Sequence, residues 1–201
     1  MSTYAKAETL VGAVVAPLDW VRSVALVLAF SLFVALAAQV FVPLPWTPVP
    51  VTAQTFAVLL TGALLGSRLG ALALVAYLAE GAAGLPFFSG GGGGPQFFAG
   101  ATAGYLFAFP VAAFVTGYLA ERGWDRRLLT AAAAMALGSL VILAGGWAWL
   151  SVQTGSASRA FVLGVAPFVV GDVVKIALAA AALPLGWKLL RRRRGSRRTE
   201  D

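Results

Sequence analysis

Apolar runs of membrane-crossing length recur along this chain, and they restrict its folds more than any other feature. From Val21 to Val42 only Arg22, Ser23, Ser31 and Gln39 interrupt the apolar residues. Roughly 20 such residues cross a bilayer as a helix. Further apolar runs cover about Thr52 to Gly66, Leu69 to Ala83, Thr102 to Leu119, Leu128 to Leu150 and Phe168 to Leu190. Lipid offers the backbone no hydrogen-bond partners, so each run must be helical. The expected fold is an all-α integral membrane protein, with six transmembrane helices in residues 21–190. Residues 1–20 read as a tail with at most a surface helix, and residues 191–201 as a basic tail. Of the 201 residues only 11% are charged, against roughly 25% in soluble domains. The first run is too long for the apolar core of a signal peptide, and no small-residue cleavage site follows it.

Charge placement tests this topology. Six spans put both termini on one side, and 13 of the 15 Lys and Arg fall on that side. The opposite loops hold only Arg159, and Lys175 lies inside a span. Basic residues mark the cytoplasmic face, so both termini are expected in the cytoplasm. The net charge of +7 sits at the ends of apolar runs, which favours contact with anionic lipid and argues against nucleic acid. The chain has no cysteine and no histidine, which excludes disulfides, thiolate metal sites and imidazole catalysis.

Two segments break the helical pattern. Pro43, Pro45, Pro48 and Pro50 impose an extended stretch, and Trp46 within it suits a membrane interface. Ser67-Arg68 reads as a tight turn. The run from Gly84 to Gly100 carries five consecutive glycines, Gly90 to Gly94, flanked by Phe87, Phe88, Phe97 and Phe98. It lacks the Gly-Lys-Ser/Thr ending of a phosphate loop. It is either a flexible linker or a lid, and the aromatic flanks favour a lid. Phe161 to Pro167 reads as a re-entrant piece or short helix. In the first span Ala25 and Ala29 form a small-residue stripe, extended by Ala35 and Ala38, along which another helix can approach closely.

Arg22 can extend to the surface, which leaves Glu80, Asp172 and Lys175 as ionisable groups within the apolar runs. Such residues are candidates for function. Asp172 and Lys175 are three apart and share a helix face. Asp172 lies about 6 Å below the outer end of its span, at 1.5 Å per residue. The pair could serve only as an ion pair within its helix. Otherwise it binds a ligand: a carboxylate beside an ammonium accepts N–H bonds and donates to a carbonyl, as the edge of a cyclic urea or amide requires. A ligand carboxylate could use Lys175 instead, and no arginine in the glycine loop offers another anchor.

Several segments together resemble the BioY family, the biotin-specific S components of energy-coupling-factor (ECF) transporters. They are Pro48-Val-Pro-Val-Thr-Ala-Gln-Thr-Phe, Gly62-Ala-Leu-Leu-Gly-Ser-Arg-Leu-Gly-Ala, the Gly81-Ala-Ala-Gly-Leu-Pro-Phe-Phe-Ser run with its glycines, Thr102-Ala-Gly-Tyr-Leu, and Pro167-Phe-Val-Val-Gly-Asp-Val-Val-Lys. They occur in the family's order and span about residues 20–185. The resemblance implies an ECF S-component bundle that binds biotin near its outer face. It implies partnership with a transmembrane coupling subunit and with cytoplasmic ATPases that use ATP, and no enzymatic chemistry or cofactor in this chain. Asp172 and Lys175 become the ligand-holding pair. Thr52, Gln54 and Thr55 match the family's Val-Thr-x-Gln-Thr segment, and Tyr105 its Thr-Gly-Gly-Tyr, here with Ala103 in place of the first glycine. Ser89, Gly90 and Gly91 are the loop residues expected at the ligand, and Ala25 and Ala29 the contact with the coupling subunit. The same pair in another setting would serve an S component for a different vitamin. Glu80 as a proton site would fit a self-sufficient ion-coupled carrier. An intramembrane enzyme is disfavoured by the missing histidine and scattered carboxylates. A homo-oligomer stays open.

Overall fold

A computed structural model describes residues 9–15 and 17–197, with side chains as far as Arg191. Lys6 and Glu8 of the expected N-terminal tail and the last four residues lie outside that range. The elements run α1 (Leu10–Val15), α2 (Trp20–Ala38), β1 (Phe41–Val42), β2 (Val51–Thr52), α3 (Gln54–Leu65), α4 (Ser67–Ala82), α5 (Ala103–Glu121), α6 (Leu128–Thr154), α7 (Ala157–Gly164) and α8 (Val169–Arg197). Four helices are long and apolar enough to cross a membrane: α2, α5, α6 and the Val169–Arg191 part of α8. The apolar α3 has 12 residues and α4 has 16.

Local chemistry sets the boundaries. Asp19 caps α2 by accepting from the Arg22 N–H at 2.8 Å. The Arg22 guanidinium turns back to donate to the Pro17 carbonyl. The helix stops at Ala38, earlier than the apolar run, because Phe41 and Val42 leave it to pair antiparallel with Thr52 and Val51. The proline-rich stretch is thus a closed hairpin rather than a merely extended strand. Thr47 ties it across the molecule by donating to the Leu163 carbonyl of α7 at 2.7 Å.

Between α3 and α4 the turn is Gly66 alone, at φ +90°, where a side chain would be strained. Ser67 and Arg68, read from sequence as the turn, are instead the first residues of α4. The Ser67 N–H and hydroxyl donate to Glu121 at 2.7 and 2.9 Å, placing a carboxylate at the start of α4, where free N–H groups favour negative charge. Further on, α6 runs to Thr154, past the expected end at Leu150, and stops at Gly155 in the left-handed region. Ser156 then caps α7 by accepting from the Arg159 N–H, so the short helix begins at Ala157 rather than near Phe161.

The helices pack through small residues. A Cβ at Gly62, Gly104 or Gly117 would run into the backbone of Ala113, Gly145 or Gly66 respectively. Such contacts let helix backbones approach where lipid supplies no hydrophobic drive. The small-residue stripe of α2 divides: Ala35 and Ala38 are buried in the core, while Ala25 and Ala29 are exposed.

The glycine segment is a built cap. Gln39, at the end of α2, accepts from the Gly91 N–H at 2.9 Å and donates to the Phe88 carbonyl at 3.3 Å. Phe88 is buried against the rings of Tyr77, Phe97 and Phe98. At the far end of the segment, Trp149 and Gln153 of α6 donate to the carbonyls of Gly100 and Ala99 at 2.9 and 2.8 Å. The linker reading fails on these contacts, since both ends and the middle are fastened to helices.

Candidate functional site

The hairpin, the glycine segment, the N-terminal halves of α3, α5 and α8 and the C-terminal half of α6 enclose a pocket of about 580 Å³, counting its open mouth. Its apolar walls include Phe88, Phe97, Leu106, Phe109, Leu143 and Phe168. Its polar lining comprises Thr52, Gln54, Thr55, Ser89, Thr102, Tyr105, Asp172 and Lys175.

Asp172 is 6% exposed. Its Oδ1 lies 3.6 Å from Lys175 Nζ, one turn along α8. That intrahelical ion pair is real, but it is not self-contained. Ser139 of α6 donates a short hydrogen bond to Asp172 Oδ2. Lys175 Nζ donates to Thr55 Oγ1 of α3 at 2.8 Å. The pair therefore joins three helices and still lines the pocket. Removing two charges from water costs more than a single contact returns, unless further hydrogen bonds satisfy both groups. Ser139 and Thr55 supply one each, and the pocket leaves room for a ligand to supply more.

Thr52 and Gln54 form the hinge between hairpin and α3. The Thr52 hydroxyl accepts from the Gln54 N–H at 3.2 Å, which caps a helix whose N-cap residue, Ala53, cannot. Gln54 is buried and donates through Nε2 to the Tyr77 hydroxyl at 2.5 Å. Tyr77 donates in turn to the Phe87 carbonyl at 3.2 Å. A polar chain thus runs from the pocket wall to the root of the glycine segment. Tyr105 donates to the Gly164 carbonyl at 2.6 Å and sets its ring 6.1 Å from that of Phe168. Its hydroxyl fixes α7, and its ring forms the wall.

Seven of the sequence-derived site residues meet at this pocket: Thr52, Gln54, Thr55, Ser89, Tyr105, Asp172 and Lys175. Gly90 and Gly91 do not line it, for the backbone there turns to Gln39 instead. Ala25 and Ala29 lie on the outside of α2, away from the pocket. Ala103 is fully buried and also outside the lining, so its methyl group takes no pocket space. Glu80 lies outside the lining as well, with Oε2 buried and unpartnered among the described residues. Sequence reasoning missed Ser139 and Tyr77. The signal for Ser139 was present, as the one hydroxyl between Thr130 and Ser151 in the apolar run of α6. No cluster of metal-ligating side chains occurs among the described residues.

Fold and site together define an α-helical membrane protein with an enclosed pocket for a small solute, part apolar and part polar. The BioY family model matches residues 5–192, and the chain belongs to the BioY family. It is 42% identical over 158 residues to the probable biotin transporter BioY of Pyrococcus horikoshii, covering 79% of this chain and 91% of that one. It is 38% identical over 170 residues to the biotin transporter BioY of Rhizobium etli, covering 80% and 91%. Among solved structures it resembles the S-component for biotin from an ECF-type ABC transporter. That match has a TM-score of 0.76 and 25% identity, and covers 84% of this chain and 92% of that one.

Proposed function

We propose that this chain is the substrate-binding S component of an ATP-driven ECF-type uptake transporter, and that its ligand is biotin. The observation that carries the reading is the Asp172–Lys175 pair, 3.6 Å apart on the wall of an otherwise largely apolar pocket. Biotin joins a cyclic urea to an apolar ring and chain. Its two urea N–H groups suit a carboxylate acceptor, and its urea carbonyl suits an ammonium donor. The aromatic walls suit the remainder. In this arrangement Asp172 and Lys175 grip the ureido edge, Thr55 and Ser139 orient that pair, and Gln54 and Tyr105 shape the pocket.

The six crossings are α2, α3, α4, α5, α6 and α8, with the short α3 and α4 beginning and ending below the outer surface. Both termini lie in the cytoplasm of a prokaryotic cell, and the pocket lies in the outer half of the plasma membrane. The exposed Ala25 and Ala29 of α2 offer a close-packing face to the coupling subunit, and the ATPases supply the work. The glycine segment closes over the ligand through Ser89.

Calorimetry with purified protein tests the reading. Wild-type protein should bind biotin tightly and should not bind thiamine or riboflavin. The double variant Asp172→Ala, Lys175→Ala should lose binding. Tight biotin binding that survives the double variant would sink the site assignment, and a preference for another vitamin would sink the ligand.

A further inference from the structure

At the end of the bundle opposite the pocket, the α5–α6 connection and α8 enclose a second cleft. Arg122, Arg126, Arg127 and Arg191 line it, with Gly123, Trp124 and Thr130. It is open and holds about 910 Å³. We infer that this cleft binds a phosphate group, supplied in the membrane by the headgroup of an anionic phospholipid.

The cleft carries positive charge in excess. Arg122, Arg127 and Arg191 form no ion pair with a carboxylate among the described residues. Of the two carboxylates nearest in sequence, Glu121 is turned to Ser67, from which it accepts. The buried Asp125 accepts from the Trp187 indole and acts electrostatically on Arg126 alone of the four arginines. Guanidinium groups brought to one space repel each other unless an anion joins them. Two of the four are held in place by aromatic faces: Arg122 lies 3.3 Å above the Tyr118 ring, and Arg126 lies 4.8 Å above that of Trp187. Arg122 also donates to the Tyr118 carbonyl at 3.1 Å. Preset, planar donors match the oxygens of a phosphate better than those of water.

The flanks of the cleft select a lipid over a free anion. Leu129, two residues after Arg127, is 83% exposed, and Leu128 and Leu189 are more than half exposed. They continue the apolar outer surfaces of α6 and α8. A phosphate seated among the arginines would direct acyl chains along these leucines. Basic pockets between helices at the cytoplasmic face hold anionic headgroups for this reason. Only the choice of leaflet rests on the topology proposed above.

The test is lipid retention by the full chain in detergent, read by native mass spectrometry and by thermal shift. The probes are phosphatidylglycerol, phosphatidylcholine and inorganic phosphate. Wild-type protein should retain and be stabilised by phosphatidylglycerol in preference to phosphatidylcholine. Arg122→Gln with Arg127→Gln should reduce that preference about fivefold for each arginine removed. Arg159→Gln, which removes one charge at the other end of α6, should leave it intact. The charge-preserving pair Arg122→Lys, Arg127→Lys should lose part of it, and serves if the glutamine pair does not fold. Equal retention of both lipids, or a preference that the cleft variants keep, would overturn the proposal. Protection by inorganic phosphate equal to that by phosphatidylglycerol would overturn the lipid assignment. A preference that appears only with the coupling subunit present would reassign the cleft to a protein contact. Biotin affinity reports on the outer pocket independently, so a failure here is distinct from a failure of the transport reading.

Discussion

The two ends of α8 each meet a buried carboxylate, and the two meetings differ. Near its N-terminal end Asp172 is 6% exposed, has a cation 3.6 Å away, and lines a pocket. Toward its C-terminal end, about four turns on, Trp187 donates to Asp125, which is 1% exposed and does not line the arginine cleft beside it. Asp172 shares its charge with Lys175, and both groups have room for further partners. Asp125 is walled in, with Oδ1 unpartnered among the described residues. Burial alone therefore does not mark a ligand site. What separates the two is open space: Asp172 and its cation both line a pocket, whereas Asp125 lines none beside it.

The sharpest break in this comparison is to truncate each acid in turn. Asp172→Ala should weaken biotin binding by about 100-fold or more, since truncating one partner of a buried charge pair costs roughly 2–5 kcal/mol. Asp125→Ala should leave biotin affinity unchanged and lower stability by roughly 1–3 kcal/mol, through the unpaired indole N–H of Trp187. Calorimetry and thermal melts of both variants separate these outcomes. An Asp125→Ala protein that folds normally but binds biotin poorly would show that the two ends are coupled along α8.

The Asp172 half of this contrast was legible in the sequence, and the reason is cost, whereas the burial of Asp125 against Trp187, 62 residues on, was not. Charges inside apolar runs are few enough that Asp172 and Lys175 stand out by type and spacing alone. The helices are legible for a related reason, since continuous apolar runs of this length suit a spanning helix and not the short alternating strands of a barrel. What escaped was set by contacts across the fold. Nothing local tells that Phe41 and Val42 pair with Thr52 and Val51, and so end α2 four residues early. The Ser67-Arg68 turn was misplaced by one step, because the capping carboxylate, Glu121, lies 54 residues on. Gly90 and Gly91 read as ligand contacts because glycine permits close approach, yet the group that approaches Gly91 is Gln39.

Smaller effects sharpen the pocket end. Ser139→Ala removes a donor to Asp172 while keeping the ion pair, and should weaken biotin binding about tenfold, the loss expected for a hydrogen bond to a charged group. An unchanged Kd would mean that Lys175 alone orients the carboxylate. Tyr77→Phe breaks the chain from Gln54 to the Phe87 carbonyl at a cost of about 1 kcal/mol. The pocket lining stays the same, so the effect should appear as a biotin off-rate about fivefold faster with little change in on-rate. A slower on-rate would instead place Tyr77 in pocket assembly.

The smallest effect tests the Asp125 end, and it carries a sign. Burial raises the pKa of Asp125, against the opposing influence of the Trp187 hydrogen bond and the Arg126 charge. A carboxyl whose folded pKa lies above its unfolded value favours folding most when protonated. Its contribution is full below the unfolded pKa and is lost as pH rises through the folded one. Asp125→Asn keeps an oxygen for the Trp187 indole and cannot titrate. The variant should therefore gain stability relative to wild type as pH climbs through and above the carboxylate range, with roughly 2–4 °C in Tm for each kcal/mol. Taking the difference between the two proteins cancels every other titrating group. A variant that instead loses ground as pH rises would show that the ionised form is the stabilised one, with Arg126 outweighing burial. Asp125 would then belong to a charge pair as Asp172 does, lacking only a pocket.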